Sequence, residues 1–266
     1  MSRAALLAAL VVVLTAAGQA AAAPGQNTAG PGTAGRHPEV VGGSAVSSGR
    51  YPWMVRLSVG CGGSLIAPRY VLTAAHCVPR SGRTRSIVVS AGAADLGSSR
   101  IVRVRSTEVR RAPGFRSATR GDDWAVVRLE RALELPTVEP APDRRYDRGT
   151  FTVLGWGATR EGGSAQRRLR AAPVPLVPDE RCADAYEPAF RFDAEEMLCA
   201  GDLRRGGVDA CQGDSGGPLV RRGDGGRWVQ VGIVSWGQGC GRRRFPGVYT
   251  QVSTYADEIE AAVDED

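Results

Sequence analysis

Histidine is almost missing from this sequence of 266 residues, in which only His37 and His76 occur. A metal site built on three imidazoles is therefore excluded, because two histidines cannot supply three ligands. Any reaction that needs an imidazole must use one of these two residues. Lysine does not occur either, so the 34 basic residues are all arginines. They outnumber the 28 acidic residues and give a formal net charge of +6.

A hydrophobic run long enough to cross a membrane is also missing. The longest apolar run, residues 4–17, is shorter than the ~20 residues that span a bilayer, which argues against the alternative of a membrane anchor. Arg3 precedes this run and small residues follow it, so residues 1–23 are interpreted as the signal peptide of a secreted, extracellular protein. Residues 24–39, rich in Gly, Pro, Ala and Thr, are predicted to be a propeptide. Since His37 lies in this segment, it would be absent from the mature protein.

The cysteines are spaced too widely for a zinc site, which needs pairs separated by only a few residues. There are six of them, namely Cys61, Cys77, Cys182, Cys199, Cys211 and Cys240. An even number of cysteines in an exported protein favours disulfides. Many pairings are possible, and the residues by themselves do not choose among them.

The composition, with 42% hydrophobic and 23% charged residues, excludes a disordered chain. Short segments that are β-branched or alternating, punctuated by Gly and Pro, predict an all-β protein. These segments are residues 50–59, 87–90, 101–109, 125–129, 151–155 and 228–235. Only the C-terminal end has helical spacing, with Thr254 as its candidate N-cap. The Pro-rich and charged segment 134–149 is the predicted bridge between two halves.

Three short stretches carry residues suited to nucleophilic catalysis. Ser215 is surrounded by glycines, which let a nucleophile approach a substrate closely, although such a stretch can also be a simple hairpin turn. His76 is a candidate general base because imidazole is the side chain most often used for that role, although an isolated histidine is more often a packed or surface residue. Asp122 and Asp123 precede a strand-like segment, where an acid can orient an imidazole or merely form a polar turn.

Together these stretches resemble the trypsin-like serine proteases of the chymotrypsin fold, and in detail the secreted bacterial trypsins. The motifs, in the family's order, are Val40-Val-Gly-Gly43, Thr73-Ala-Ala-His-Cys77, Asp123-Trp-Ala, Gly155-Trp-Gly157, Gly213-Asp-Ser-Gly-Gly-Pro218 and Ser235-Trp-Gly237. The resemblance implies a protease domain over residues 40–266. Its fold would be all-β, with two antiparallel six-stranded β-barrels (about 50–135 and about 150–253), the active site in the cleft between them, and a C-terminal helix at about 254–263.

The resemblance assigns catalytic roles to individual residues. Ser215 would be the nucleophile, His76 the general base and acid, and Asp123 the group that orients the imidazole. The acid of the family directly precedes a hydrophobic-Ala pair, which selects Asp123 over Asp122. The backbone N–H groups of Gly213 and Ser215 would form the oxyanion hole. The implied enzyme is a serine endopeptidase, and the alternative is a catalytically inactive, protease-like binding protein.

Substrate binding is implied for six residues, namely Asp209, Ala210, Ser235, Trp236, Gly237 and Gly247. Asp209 stands where a trypsin has the carboxylate at the floor of its primary pocket, and such a carboxylate selects a cation and suits Arg bidentately. Gly237 and Gly247 match the glycines that keep this pocket open. The segment from Ser235 to Gly237 would pair with the substrate backbone.

Activation would follow from cleavage before Val40, which frees an amino group to pair with Asp214. The residue before the new terminus is Glu39 rather than Lys or Arg. We therefore expect another protease, and not the enzyme itself, to activate the precursor.

The family's disulfide connectivity would pair Cys61 with Cys77, Cys182 with Cys199, and Cys211 with Cys240. The implied partners are protein or peptide substrates with Arg or Lys at the cleavage position, an activating protease and proteinaceous serine-protease inhibitors. We expect a monomer with no cofactor, no required metal, and no nucleic-acid or membrane partner. The three arginines at 242–244 are interpreted as a solvated surface loop, because the other arginines are scattered among acids.

Peptide substrates that differ only in Arg or Lys at the cleavage position test the role of Ala210. Many trypsins carry Ser or Thr there. The hydroxyl of such a residue would help to bind the ammonium group of Lys, whose side chain is shorter than that of Arg, and Ala210 has no hydroxyl to offer. We expect kcat/KM for the Arg peptide to exceed that for the Lys peptide, and Ala210→Ser to narrow the gap. Equal kcat/KM values for the two peptides in the unsubstituted enzyme would contradict this assignment.

Overall fold

The computed structural model describes residues 41–264; the predicted signal peptide (1–23), the predicted propeptide (24–39) and Val40 lie outside the described residues. In chain order, the strands are β1 (Ser44–Ala45), β2 (Met54–Leu57), β3 (Gly62–Ala67), β4 (Tyr70–Thr73), β5 (Gly82–Arg83), β6 (Val88–Ala91), β7 (Val102–Arg111), β8 (Ala125–Leu129), β9 (Glu139–Pro140), β10 (Thr150–Gly155), β11 (Arg170–Val177), β12 (Met197–Ala200), β13 (Pro218–Arg222), β14 (Trp228–Trp236) and β15 (Gly247–Gln251). The helices are α1 (Asp179–Tyr186) and α2 (Ala256–Asp264).

Two closed antiparallel β-barrels form from these strands, as the resemblance implied. In the first barrel, the order β7-β6-β2-β3-β4-β8 closes because β7 also pairs with β8. In the second barrel, the order β11-β10-β13-β14-β15-β12 closes because β11 also pairs with β12. The short strands β1, β5 and β9 attach to β11, β7 and β14. Closure removes the exposed edges that a strand would otherwise present to other chains.

Side-chain alternation explains why these segments form half-buried strands. In β7, Val104 is buried whereas the neighbouring Arg103 and Arg105 are exposed, which is the pattern predicted for a strand with one wet face. In β8, by contrast, four of the five residues are buried, because one face of this strand packs inside the first barrel and Val126 on the other face packs with Ile233 and Ile259. Each of the six predicted segments overlaps an observed strand, with shifts at most ends, whereas the strands β3, β4, β11, β12, β13 and β15 lie outside the predicted segments.

The two barrels are joined by a hydrophobic cluster to which both contribute, and the second barrel also has a core cluster of its own. Leu154, Trp156 and Val220, from the second barrel or the segment next to it, belong to the same cluster of buried side chains as Val55 and Leu65 of the first barrel. Polar contacts reinforce this packing. The Trp156 indole donates a hydrogen bond to the carbonyl of Ala94 at 3.0 Å. A cleft between barrels joined in this way keeps its shape.

Within residues 41–264, α-helices occur at two places, and only one of them was predicted. The C-terminal helix α2 begins at Ala256, after a 3-10 turn over Val252–Tyr255. Thr254 lies inside that turn, so it is not the N-cap, and its hydroxyl instead donates to the carbonyl of Glu195. The helix α1 was missed because its apolar face is short. None of the described helices has the length and apolar character needed to cross a membrane.

The disulfides have the pairing that the resemblance implied. They join Cys61 to Cys77, Cys182 to Cys199, and Cys211 to Cys240. The second bridge ties α1 to β12, and the third joins the loop before β13 to the loop after β14. Because disulfides restrict the unfolded chain, each is expected to contribute about 2–4 kcal/mol to stability.

Truncation of Leu65 tests its role in the hydrophobic cluster that joins the barrels. This β3 side chain is fully buried, and Leu65→Ala is expected to lower the free energy of unfolding by about 3 kcal/mol through lost burial and a new cavity. Val59 is 46% exposed, so Val59→Ala is the matched control and should change stability by less than about 0.5 kcal/mol. Urea unfolding in a Ser215→Ala background, which prevents self-digestion, measures both; equal effects would contradict the role of Leu65 in the core.

Candidate active site

The pairing of β4 with β8 brings His76 next to Asp123. His76 lies in the 3-10 turn that follows β4, and Asp123 lies just before β8. Since Thr73 at the end of β4 is paired with Ala125 at the start of β8, the two side chains leave the barrel at the same place. His76 Nδ1 lies 2.8 Å from Asp123 Oδ2, and the backbone N–H of His76 donates to Asp123 Oδ1 at 2.9 Å.

Asp123 is held by the second barrel as well as the first. Its side chain is only 1% exposed. The hydroxyl of Ser235 in β14 donates to Oδ2 at 2.5 Å, and the hydroxyl of Thr250 in β15 donates to the Asp123 carbonyl at 2.9 Å. A carboxylate oxygen can only accept, so Nδ1 of a neutral His76 carries the proton and Nε2 is left as the basic atom. Asp122 is partly exposed and makes no such contact with His76.

Ser215 is placed against the strands that lead to His76. The N–H of Gly62 in β3 donates to the carbonyl of Ser215 at 2.8 Å, and Thr73 Oγ1 donates to the carbonyl of Gly62 at 2.8 Å. Gly216 has φ of +75°, and a Cβ there would overlap Thr73 Oγ1, so this position requires glycine. Among the described residues, no hydrogen bond joins Ser215 Oγ to His76. Such bonds are often long before substrate binds.

The backbone around Gly213 leaves two N–H groups unused. The carbonyl of Gln212 accepts from Ala158 at 2.8 Å, the N–H of Asp214 donates to Cys211 at 2.9 Å, and the Asp214 carbonyl accepts from Gly217 at 2.8 Å. By contrast, the N–H groups of Gly213 and Ser215 have no acceptor within the described part of the chain. Unpaired backbone donors beside a candidate nucleophile are the arrangement that can stabilise an oxyanion.

One pocket is lined by both Ser215 and Asp209. Its walls include Ala210, Ser235, Trp236, Gly237 and Gly247. Asp209 is 4% exposed, and its carboxylate accepts from the backbone N–H groups of Ala210 at 2.8 Å and of Gly241 at 3.0 Å. A Cβ on Gly247 would overlap this carboxylate, whereas one on Gly237 would meet nothing closer than 3.8 Å. All six residues predicted to bind substrate therefore line this one pocket.

Electrostatics at the base of the pocket favour a cationic ligand. Burial raises the pKa of Asp209 to about 7, although the N–H groups of Gly241 and Ala210 work in the opposite direction. A cation entering the pocket would restore the solvation that the carboxylate lost on folding.

Asp214 occupies a second buried position, behind the pocket. It is 1% exposed, and it accepts from the N–H groups of Gly157 at 2.6 Å and Cys211 at 2.9 Å. Burial raises its pKa to about 6, with these two N–H groups and the charge of Arg56 opposing the shift. A Cβ on Gly155 or Gly157 would overlap the carboxylate, which accounts for both glycines of the Gly-Trp-Gly motif.

The chain next to Val40 is docked on the pocket. The carbonyl of Val41 accepts from the N–H of Asp209 at 3.1 Å, and the Val41 side chain packs against Cys211 and Cys240. Val40 itself lies outside the described residues.

Residues that sequence patterns missed also shape the site. Tyr186 of α1 stacks edge-on against Trp236, with ring centroids 4.7 Å apart, and its hydroxyl donates to the carbonyl of Pro246. Arg56 of β2 reaches Gly213. Neither residue lies in a motif, and the partners of each are distant in sequence.

Metal binding finds no support in the one cluster of potential ligands within residues 41–264. This cluster consists of Cys61, His76 and Cys77. The two cysteines are bonded to each other, so neither can provide the thiolate that a metal requires. The residues present therefore do not fit a metal centre at this place.

The two barrels and the site between them define a serine endopeptidase of the chymotrypsin fold. A family model described as Trypsin matches residues 40–259. Over 224 residues, the chain is 49% identical to a trypsin-like protease of Streptomyces glaucescens, an alignment that covers 84% of this chain and 82% of that protein. It is 38% identical over 224 residues to transmembrane protease serine 9 of Rattus norvegicus, covering 80% of this chain and 21% of that protein. The chain belongs to the trypsin family, whose substrates are proteins.

The pKa of Asp209 predicts how a cation should bind as the pH changes. Because burial raises this pKa to about 7, the carboxyl of the empty pocket takes up a proton as the pH falls below that value. The affinity of benzamidine, a small cation, should therefore be constant above pH 8 and fall by about tenfold per pH unit below pH 7. Calorimetry on a His76→Ala variant removes the imidazole titration from the measurement. Neutral benzyl alcohol is the control, and a flat benzamidine affinity down to pH 5 would contradict the prediction.

Proposed function

We propose that this chain is a secreted serine endopeptidase, made as an inactive precursor, that cleaves peptide bonds after Arg and, less well, after Lys. The observation that carries the proposal is the arrangement at one cleft. Ser215, the His76–Asp123 pair and a pocket lined by Asp209 lie together there. An inactive binding protein is not supported by the relatives or by the site, which keeps each residue type that catalysis needs.

In the proposed reaction, Ser215 Oγ attacks the scissile carbonyl while His76 Nε2 takes its proton. The C–N bond of the tetrahedral intermediate then breaks, and His76 gives the proton to the leaving amine, which leaves an acyl-enzyme. Water, deprotonated by His76, releases the acyl group and restores Ser215. Asp123 stabilises the imidazolium that forms in each half of the reaction; its hydrogen bond to Nδ1 at 2.8 Å supports this role.

The negative charge that develops on the carbonyl oxygen would be stabilised by the N–H groups of Gly213 and Ser215. Their lack of acceptors supports this assignment. Losing one such donor typically costs about 10²–10³ in rate, because the donors are fixed in place before the charge forms.

Specificity would follow from Asp209. The carboxylate lines the pocket, is almost fully buried and is held by two backbone N–H groups, so we expect it to stay in place rather than move out to meet a short side chain. An Arg guanidinium reaches that depth and can donate two parallel hydrogen bonds. The substrate backbone would pair with the edge formed by Ser235, Trp236 and Gly237.

Activation would require removal of residues 1–23 as the signal peptide and residues 24–39 as the propeptide. The new amino group of Val40 would then pair with Asp214. The position of Val41, one residue away and bonded to Asp209, supports this docking. A buried carboxylate whose pKa is raised by burial gains from a cation, and that gain would order the loop that contains Gly213. An activating protease and proteinaceous inhibitors would be the partners of a monomeric enzyme.

Labelling with a fluorophosphonate probe, which reacts only with an activated serine, tests the proposal. We expect stoichiometric labelling of the secreted protein, and N-terminal sequencing of the labelled chain should begin at Val40. Ser215→Ala should abolish the labelling, whereas Ser99→Ala, at an exposed serine that does not line the pocket, should not change it. Failure of the probe to label the processed chain would refute the proposed function, and a different first residue would refute the proposed activation.

A further inference from the structure

Arg56 is a charged side chain that the reaction described so far does not use. It lies in β2 of the first barrel, paired with Gly62 of β3 and Ser90 of β6, and it is half-buried. Its guanidinium points away from solvent toward the loop of the second barrel that carries Ser215. Arg56 Nη1 donates to the carbonyl of Gly213 at 2.5 Å.

The carbonyl that Arg56 holds belongs to a peptide unit between the two proposed oxyanion donors. The other side of this peptide, the N–H of Asp214, donates to the carbonyl of Cys211 at 2.9 Å. With both sides bonded, the Gly213–Asp214 peptide cannot rotate. The N–H groups of Gly213 and Ser215 on either side of it therefore keep their directions.

Such a restraint is needed because of the residue at this position. Gly213 has φ of +94°, a backbone conformation that glycine adopts readily. Glycine can also adopt many other backbone conformations of similar energy. The Gly213–Asp214 peptide could turn over at little cost if its carbonyl were free. A hydrogen bond from a charged donor is stronger than one from a neutral donor, so Arg56 is well suited to prevent this.

Charge also couples Arg56 to the loop. Burial lowers the pKa of the Arg56 guanidinium, and the Asp214 carboxylate opposes this effect. The same attraction acts on Asp214, whose pKa is raised by burial and lowered by Arg56. The cation and the carboxylate thus stabilise each other across the interface between the barrels.

We propose that Arg56 is a positioning residue for the oxyanion hole: from the first barrel, it holds the Gly213 carbonyl and thereby fixes the two backbone donors of the second. The inference rests on the proposed function, since it assumes that Gly213 and Ser215 stabilise the oxyanion. It adds a contact that is independent of the amino group freed at Val40. The amino group of Val40 and the side chain of Arg56 would then both stabilise the loop that contains Gly213 and Asp214.

The test compares Arg56→Gln and Arg56→Lys in the processed enzyme, with Arg103→Gln, an exposed arginine of β7, as the matched control. For an Arg peptide, we expect Arg56→Gln to lower kcat by about 10²-fold, similar to the loss of one oxyanion donor, with KM changed less than about threefold. Arg56→Lys keeps the charge but not the planar fork, so its kcat should fall by only about tenfold. Arg103→Gln should leave both constants unchanged.

Two inhibitors separate positioning from general damage. A peptide aldehyde ending in argininal forms a tetrahedral adduct that uses the oxyanion hole, so its affinity should fall in parallel with kcat. Benzamidine occupies only the pocket above Asp209, so its affinity should stay within about threefold of the unsubstituted enzyme. If Arg56→Gln does not fold, Arg56→Lys gives the same comparison.

Three results would overturn the inference. They are an unchanged kcat in both Arg56 variants, an equal loss of benzamidine and aldehyde affinity, and an aldehyde affinity that does not follow kcat. These results are read only after the unsubstituted enzyme has been shown to cleave the Arg peptide, so a failure of this inference is distinguished from a failure of the proposed function. If that enzyme showed no turnover, the proposed function itself would fail.

Discussion

Burial of the Asp123 carboxylate between the two barrels is the constraint on which the rest of the structure depends. A charge that is 1% exposed is tolerated only if its oxygens are hydrogen-bonded, and the donors here come from both sides of the cleft. His76 donates from the first barrel, and Ser235 and Thr250 hold the residue from the second. A shift of the second barrel would remove the hydrogen bond from Ser235 to this carboxylate and the one from Thr250 to the Asp123 carbonyl. A cluster of buried apolar side chains from both barrels helps to keep this geometry in place.

Two further carboxylates are also buried, but their surroundings leave each of them in need of a cation. Asp209 and Asp214 are also buried, but their described donors are mostly backbone N–H groups, and burial raises their pKa values to about 7 and about 6. Each therefore gains from a cation. In the proposed mechanism, Asp209 obtains one from the substrate and Asp214 from the amino group of Val40. Arg56 of the other barrel interacts electrostatically with Asp214 and donates a hydrogen bond to Gly213. In the proposed mechanism, the loop between Cys211 and Pro218 therefore connects activation of the precursor with the oxyanion hole.

Much of this arrangement could be predicted, and the exceptions have physical causes. The strand at 125–129 was predicted with its observed bounds because β-branched residues in a buried run favour a strand over most alternatives. The helix α1 was missed because its apolar face consists of little more than Cys182 and Tyr186, and contacts with β12 and Trp236 stabilise it. Thr254 was wrongly taken as a helix cap because it lies inside a 3-10 turn and its hydroxyl donates to the carbonyl of Glu195, which is 59 residues away in the sequence. Arg56 gave no local signal at all, since its acceptor is 157 residues away in the sequence.

The sequence by itself determined the kinds of chemistry open to this protein. One histidine outside the leader, a serine among glycines and an acid before a strand are local features, and local features depend on residue type and spacing. Only the tertiary structure decided which acid the histidine meets, which cysteines pair and which arginine reaches the catalytic loop. These contacts join segments that are remote along the chain. They form because two closed barrels bury their apolar faces against each other, and a pattern of neighbouring residues does not record which distant groups that packing brings together.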